Sequence, residues 1–149
     1  MEPKRRQTDA RLEIFKQACR EYGLKITPQR VAIFQEFHGS AEHPSAVMIY
    51  DKVRQDYPHI SLDTVSRTLT TLNKIGLAKE VEFSGEARRF DPNLDRHHHF
   101  RCIKCGHIVD FNNEIYDSIV IPEELKMKYT VLEKKVCLEG ICDRCRAGD

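Results

Sequence analysis

At 149 residues the chain makes one domain of ordinary size or two small ones, and 40% apolar with 32% charged residues is the composition of a soluble globular protein. No apolar run approaches the roughly 20 residues a membrane span needs, and Met1-Glu2-Pro3-Lys4-Arg5-Arg6 lacks a signal-peptide core, so a cytoplasmic location with no membrane partner is expected. A net charge of +1 neither supports nor excludes nucleic acid, so a DNA role must rest on charge placement and motif.

Residues 1–7 read as a frayed basic end. Thr8 or Asp9 is placed to cap a first helix whose apolar positions Leu12, Phe15, Cys19 and Tyr22 keep helical spacing, with Gly23 as its stop. Thr27-Pro28 reads as N-cap and first position of a second helix, with Val31, Phe34 and Phe37 inward and Gly39-Ser40 closing it. His43-Pro44-Ser45 opens a third helix carrying Ala46, Ile49, Tyr50 and Val53 inward before Pro58 breaks the pattern. Ser61 caps a fourth, with Leu62, Val65, Leu69 and Leu72 inward and Gly76 as the stop. Its other face shows Thr64, Ser66, Arg67, Thr68, Thr71 and Lys74, the short polar and cationic residues that a major-groove helix needs. Leu77–Phe83 and Ala87–Asp91 read as two strands joined at Ser84-Gly85-Glu86. Short helices followed by a β-hairpin describe a winged helix-turn-helix over residues 1–91.

Asp91-Pro92-Asn93-Leu94 is turn-rich and marks the boundary to a second domain, residues 92–149. There Phe100–Ile103 and His107–Phe111 read as strands, Asn113–Ile119 and Pro122–Lys128 as helices, and Tyr129–Leu138 as a third strand. The whole chain is thus of the α+β class.

Cys102-x-x-Cys105 and Cys142-x-x-Cys145 are two knuckles of the same spacing, and four thiolates are the shell a structural zinc prefers. A thiol oxidoreductase would carry one reactive C-x-x-C in an electropositive turn, and two knuckles argue against it. In an extended segment alternate side chains share a face, so His97 and His99 point together while His98 points away, as a solvated turn residue would. Two imidazoles joined by carboxylates suit iron(II), manganese(II) or zinc.

The order Lys25-Ile26-Thr27-Pro28-Gln29-Arg30, His43-Pro44-Ser45-Ala46, Arg88-Arg89-Phe90-Asp91, His97-x-His99, Cys102-x-x-Cys105-Gly106-His107-Ile108-Val109-Asp110-Phe111 and Cys142-x-x-Cys145 resembles the ferric-uptake-regulator family from about residue 10 to 146. The resemblance implies a homodimeric, metal-dependent repressor of double-stranded DNA operators rather than an enzyme. It implies an N-terminal winged helix and a C-terminal α/β dimerisation domain with a four-cysteine zinc site. It makes His43, Asp91, His97, His99 and Asp110 ligands of a regulatory iron(II) or manganese(II), and Cys102, Cys105, Cys142 and Cys145 ligands of a structural zinc. DNA contacts are expected from Lys25, Arg30, Thr64, Ser66, Arg67 and Thr68. Asp at position 110, where iron-sensing members tend to carry Glu, resembles the peroxide-sensing branch, in which a ligand histidine, His43 or His97, takes up oxygen. An iron- or zinc-responsive regulator is the alternative within the family, and a metalloenzyme the alternative outside it. A further metal site in some relatives uses a late histidine, and Leu132–Leu138 has none. Two departures stand out: Ser66 replaces the Tyr usual in the recognition helix, and Cys137 is an extra thiol expected to pack in its strand.

Overall fold

The computed structural model describes residues 2–81 and 87–148, which divide into one unit ending at Leu94 and another beginning at Asp95. In the first, α1 (Glu2–Glu21) begins well before Thr8 and Asp9, which lie inside the helix instead of capping it. Lys4, Arg5, Arg6, Gln7 and Ala10 all favour helix, so nothing in the basic end forces a later start. The helix ends where Gly23 takes φ 64°, with Leu24 N–H on the Cys19 carbonyl at 2.7 Å and Gly23 N–H on that of Arg20 at 3.2 Å. That reversal turns Tyr22 outward, so only Phe15 and Cys19 of the expected stripe are fully buried and Leu12 packs at the margin.

Helices α2 (Pro28–Gly39), α3 (Ala46–Val53) and α4 (Leu62–Lys74) start where the caps place them. The side chains of Thr27, Ser45 and Ser61 accept the backbone N–H three residues on. Their buried faces join one core around Phe15, Phe34, Phe37, Ile49, Val65 and Leu69, with Phe15 stacked on Phe34 at 4.5 Å. Ile33 and Ile60 belong to that core although the spacing passed over them, whereas Leu62, at the first position of α4, is exposed. Strands β1 (Lys79–Val81) and β2 (Arg89–Asp91) pair antiparallel with Lys79 opposite Asp91, both shorter than the expected strands. The expected joint at Ser84-Gly85-Glu86 lies outside the described residues.

His38, near the end of α2, lies against the rings of Phe34 and Phe37 at 4.3 and 5.2 Å. Burial pushes its pKa down, the Arg11 guanidinium acts in the same direction, and a hydrogen bond to the Leu77 backbone partly opposes both. The folded chain therefore prefers neutral His38. The stability this contributes is complete above the unfolded pKa of about 6.5 and drains away as pH falls below it. Thermal unfolding followed from neutral to mildly acid pH should show a shallower fall for His38→Gln than for wild type.

The second unit is a three-stranded sheet in the order β4-β3-β5. Its strands are β3 (His98–Cys102), β4 (Ile108–Phe111) and β5 (Cys137–Gly140), with β3 antiparallel to β4 and parallel to β5. Three short helices complete it: α5 (Glu114–Asp117), α6 (Glu123–Lys128) and α7 (Asp143–Ala147). The third strand is much shorter than Tyr129–Leu138, because Glu133-Lys134-Lys135 interrupts the apolar pattern. Lys134 instead donates its ammonium to the carbonyls of Asp117 and Ile119 at 2.6 and 2.9 Å. His98 is no solvated turn residue. It is 1% exposed, beside Phe111 and Tyr116, with Nδ1 accepting the Val136 N–H at 3.2 Å. Cys137 is exposed on β5 rather than packed. No helix among the described residues is long and apolar enough to cross a membrane.

Candidate metal centres and DNA-binding face

The first cysteine knuckle is a tight turn at the end of β3. Cys102 N–H donates to the His107 carbonyl and Gly106 N–H to the Cys102 carbonyl, both at 2.9 Å, while Gly106 sits at φ 70°. The second knuckle opens α7. Ile103 N–H on the Gly140 carbonyl at 2.8 Å and Cys142 N–H on the Cys102 sulfur at 3.4 Å join the two knuckles. All four sulfurs lie within 4.8 Å of one another, and Cys105 and Cys142 are 3.8 Å apart. A tetrahedral zinc with bonds of about 2.3 Å needs sulfurs roughly 3.8 Å apart, so the set fits that ion. The backbone N–H groups of Cys105 and Cys142 pull the Cys102 pKa down to about 6, a ready thiolate. Hydrogen bonding with Cys142 and Cys105 pushes Cys145 up to about 12. Four sulfurs this close cannot all shed their protons without a cation among them.

The second cluster stands on the β3–β4 ladder. His97 directly precedes β3, His99 lies within it, and Asp110 pairs with His99 across the sheet. The Nε2 atoms of His97 and His99 are 3.0 Å apart, and Asp110 Oδ1 is 3.5 and 3.4 Å from them. His97 Nδ1 lies 2.7 Å from the Asp95 carbonyl, which can only accept. The neutral ring thus keeps its hydrogen on Nδ1 and turns the Nε2 lone pair into the cluster. Two nitrogens and a carboxylate oxygen converging this closely suit iron(II), manganese(II) or zinc.

The first unit contributes a separate pair. His43 and Asp91 are both buried, with Nε2 3.5 Å from Oδ2. The other Asp91 oxygen accepts the Asn93 N–H at 2.8 Å, which fixes the carboxylate plane.

On the winged helix, α4 leaves Arg67 exposed, with Nε 2.8 Å from Asp63, and Ser66 half-buried. Thr64 is half-buried too, its hydroxyl 2.9 Å from that of Ser61. Thr68 is misplaced in the expected DNA-contacting set. It is only 5% exposed and its hydroxyl donates to the Thr64 carbonyl at 2.7 Å, so it faces the core. Lys25 is exposed, and Arg30 donates to the Lys25 backbone carbonyl at 2.7 Å, which fixes the guanidinium beside the start of α2. Arg88 stands in the Arg88-Arg89-Phe90-Asp91 motif, but the sequence assigns it no role. It grips Glu80 through two bonds at 2.6 and 2.7 Å and reaches the Thr70 hydroxyl at 3.2 Å, tying the β-hairpin to α4.

A winged helix in one unit and metal-ligating clusters in the other define the class: a metal-dependent transcriptional regulator. The model of the Ferric uptake regulator family matches residues 21–138, and the chain belongs to that family. It is 33% identical to the peroxide-responsive repressor PerR of Staphylococcus epidermidis over 138 residues, 93% of this chain and 92% of the relative. The peroxide-responsive repressor PerR of Staphylococcus aureus is 34% identical over 129 residues, 87% of each chain. Among solved structures, the Helicobacter pylori ferric uptake regulator Fur, described as having three functional metal binding sites, matches at TM-score 0.78 and 25% identity over 93% of each chain. PerR from Streptococcus pyogenes, described in terms of peroxide sensing and gene regulation, matches at TM-score 0.52 and 31% identity over 90% of this chain and 92% of that one.

Proposed function

We propose that this chain is a peroxide-responsive, metal-dependent repressor that binds a double-stranded DNA operator as a homodimer. Cys102, Cys105, Cys142 and Cys145 hold a structural zinc. One regulatory iron(II) or manganese(II) takes His97, His99 and Asp110 together with His43 and Asp91. The observation that carries the reading is the convergence of two imidazoles on the short carboxylate of Asp110. Bound iron(II) would supply a metal that hydrogen peroxide can oxidise, and His43 or His97 would be the ligand that retains the oxygen. Loss of a ligand lowers metal affinity, and the form that binds DNA loses its advantage by the ion's differential affinity for it.

The homodimer is supported by the exposed apolar side chains of the second unit. Val120, Met127 and Leu132 are 78, 78 and 92% exposed, apolar surface that a partner subunit would cover. Arg67, exposed on α4 and steered by Asp63, is the cation best placed on that helix for the operator. Arg67→Ala should weaken operator binding and reduce its salt dependence without altering manganese affinity. Unchanged binding at physiological salt would put another element in the groove.

The experiment that tests the function is an operator gel shift with iron-loaded and manganese-loaded protein titrated with peroxide. The iron form should release DNA and the manganese form should hold it, because manganese(II) does not readily undergo the same one-electron chemistry. An iron form that holds DNA throughout leaves an iron-responsive regulator in its place.

A further inference from the structure

His43-Pro44-Ser45, the segment between α2 and α3, runs antiparallel beside β2. Ser45 bridges Arg89, and the Phe90 N–H donates to the Pro44 carbonyl at 3.0 Å. Continuing this register by two residues puts His43 opposite Asp91, where the side chains meet at 3.5 Å. A ladder of this kind would normally return a second backbone bond from residue 44, but proline has no N–H. The guanidinium of Arg89 supplies the missing attachment, its Nε donating to the His43 carbonyl.

We propose that Arg89 is a positioning residue for the regulatory metal: it holds the backbone of His43 to β2, so that imidazole and carboxylate are presented as a preset pair. This rests on the reading that His43 and Asp91 are ligands. Without Arg89 the segment loses the attachment that Pro44 cannot make, and more of the ordering of His43 must then be drawn from metal binding itself. Lysine would keep the charge but not the planar array of donors.

Manganese(II) titration of the full-length zinc-loaded protein, followed by the paramagnetic resonance signal of the free ion, tests this. Arg89→Met keeps the apolar stem and removes the donors. It should weaken manganese binding roughly 10- to 100-fold, the usual effect of removing a partner that orients a ligand. Zinc content and the unfolding temperature without manganese should stay as in wild type, and Arg89→Lys should recover part of the affinity. In a His43→Ala background Arg89→Met should cause no further loss, because the residue through which it acts is gone. Undiminished manganese affinity in Arg89→Met, or an equal loss in both backgrounds, overturns the proposal. If Arg89→Met fails to fold, the same cycle run with Arg89→Gln decides it by the same criterion. A His43→Ala variant that binds manganese as tightly as wild type overturns the assignment of His43 as a ligand, a separate failure.

Discussion

Replacing Cys142 with Ser should release the zinc and unfold or monomerise the unit that begins at Asp95. Among its described residues only Cys102, Ile108 and Cys142 are buried apolar side chains, and two of those three belong to the four-cysteine cluster. A unit with so little apolar core cannot supply the 5–15 kcal/mol typical of a folded domain from burial alone. Structural zinc in small peptides contributes an apparent 10–16 kcal/mol or so, and in a site formed only on folding this is folding energy. Because the Cys142 sulfur stands 3.8 Å from that of Cys105 in the other knuckle, the substitution disturbs both knuckles at once. The first unit keeps its own core of Phe15, Phe34, Phe37 and Leu69, so helical circular dichroism should largely persist. Zinc content by mass spectrometry and oligomeric state by sedimentation read the result. Wild-type stability and dimerisation without zinc would refute a structural role.

The second large effect belongs to Asp110. Its carboxylate is tethered opposite His99 and already stands about equally far from both imidazoles, 3.4 and 3.5 Å. Glutamate adds a methylene and can swing forward to chelate with both oxygens, filling the position through which peroxide must approach. Asp110→Glu should therefore keep iron(II) binding and iron-dependent operator binding, yet hold DNA at peroxide concentrations that strip the wild type from it. Operator gel shifts of the iron-loaded proteins, side by side, give the answer. Equal release from both would mean that carboxylate length does not set peroxide access.

Much of this was legible because the signals were local. Thr27-Pro28, Ser45 and Ser61 mark helix starts through bonds spanning three residues. The His97/His99 pairing follows from the alternation of a strand. Tertiary placement was harder to read. Thr68 looks polar and outward by type, but it can satisfy its hydroxyl on the preceding turn and so sits in the core. His98 turned inward because the Val136 N–H and neighbouring aromatic rings receive it, and those partners come from residues far along the chain. The roles of Arg88 and Arg89 depend on contacts with Glu80, Thr70 and His43 that no periodicity announces.

In the function proposed, peroxide is read by oxidation of a ligand histidine. The most direct measurement is mass spectrometry of the tryptic peptides containing His43 and His97, from iron-loaded protein before and after stoichiometric peroxide, with manganese-loaded protein as control. One of these peptides should gain a single oxygen atom on histidine in the iron form only, in step with loss of operator binding. Iron-loaded protein whose histidines stay unmodified after peroxide would contradict it.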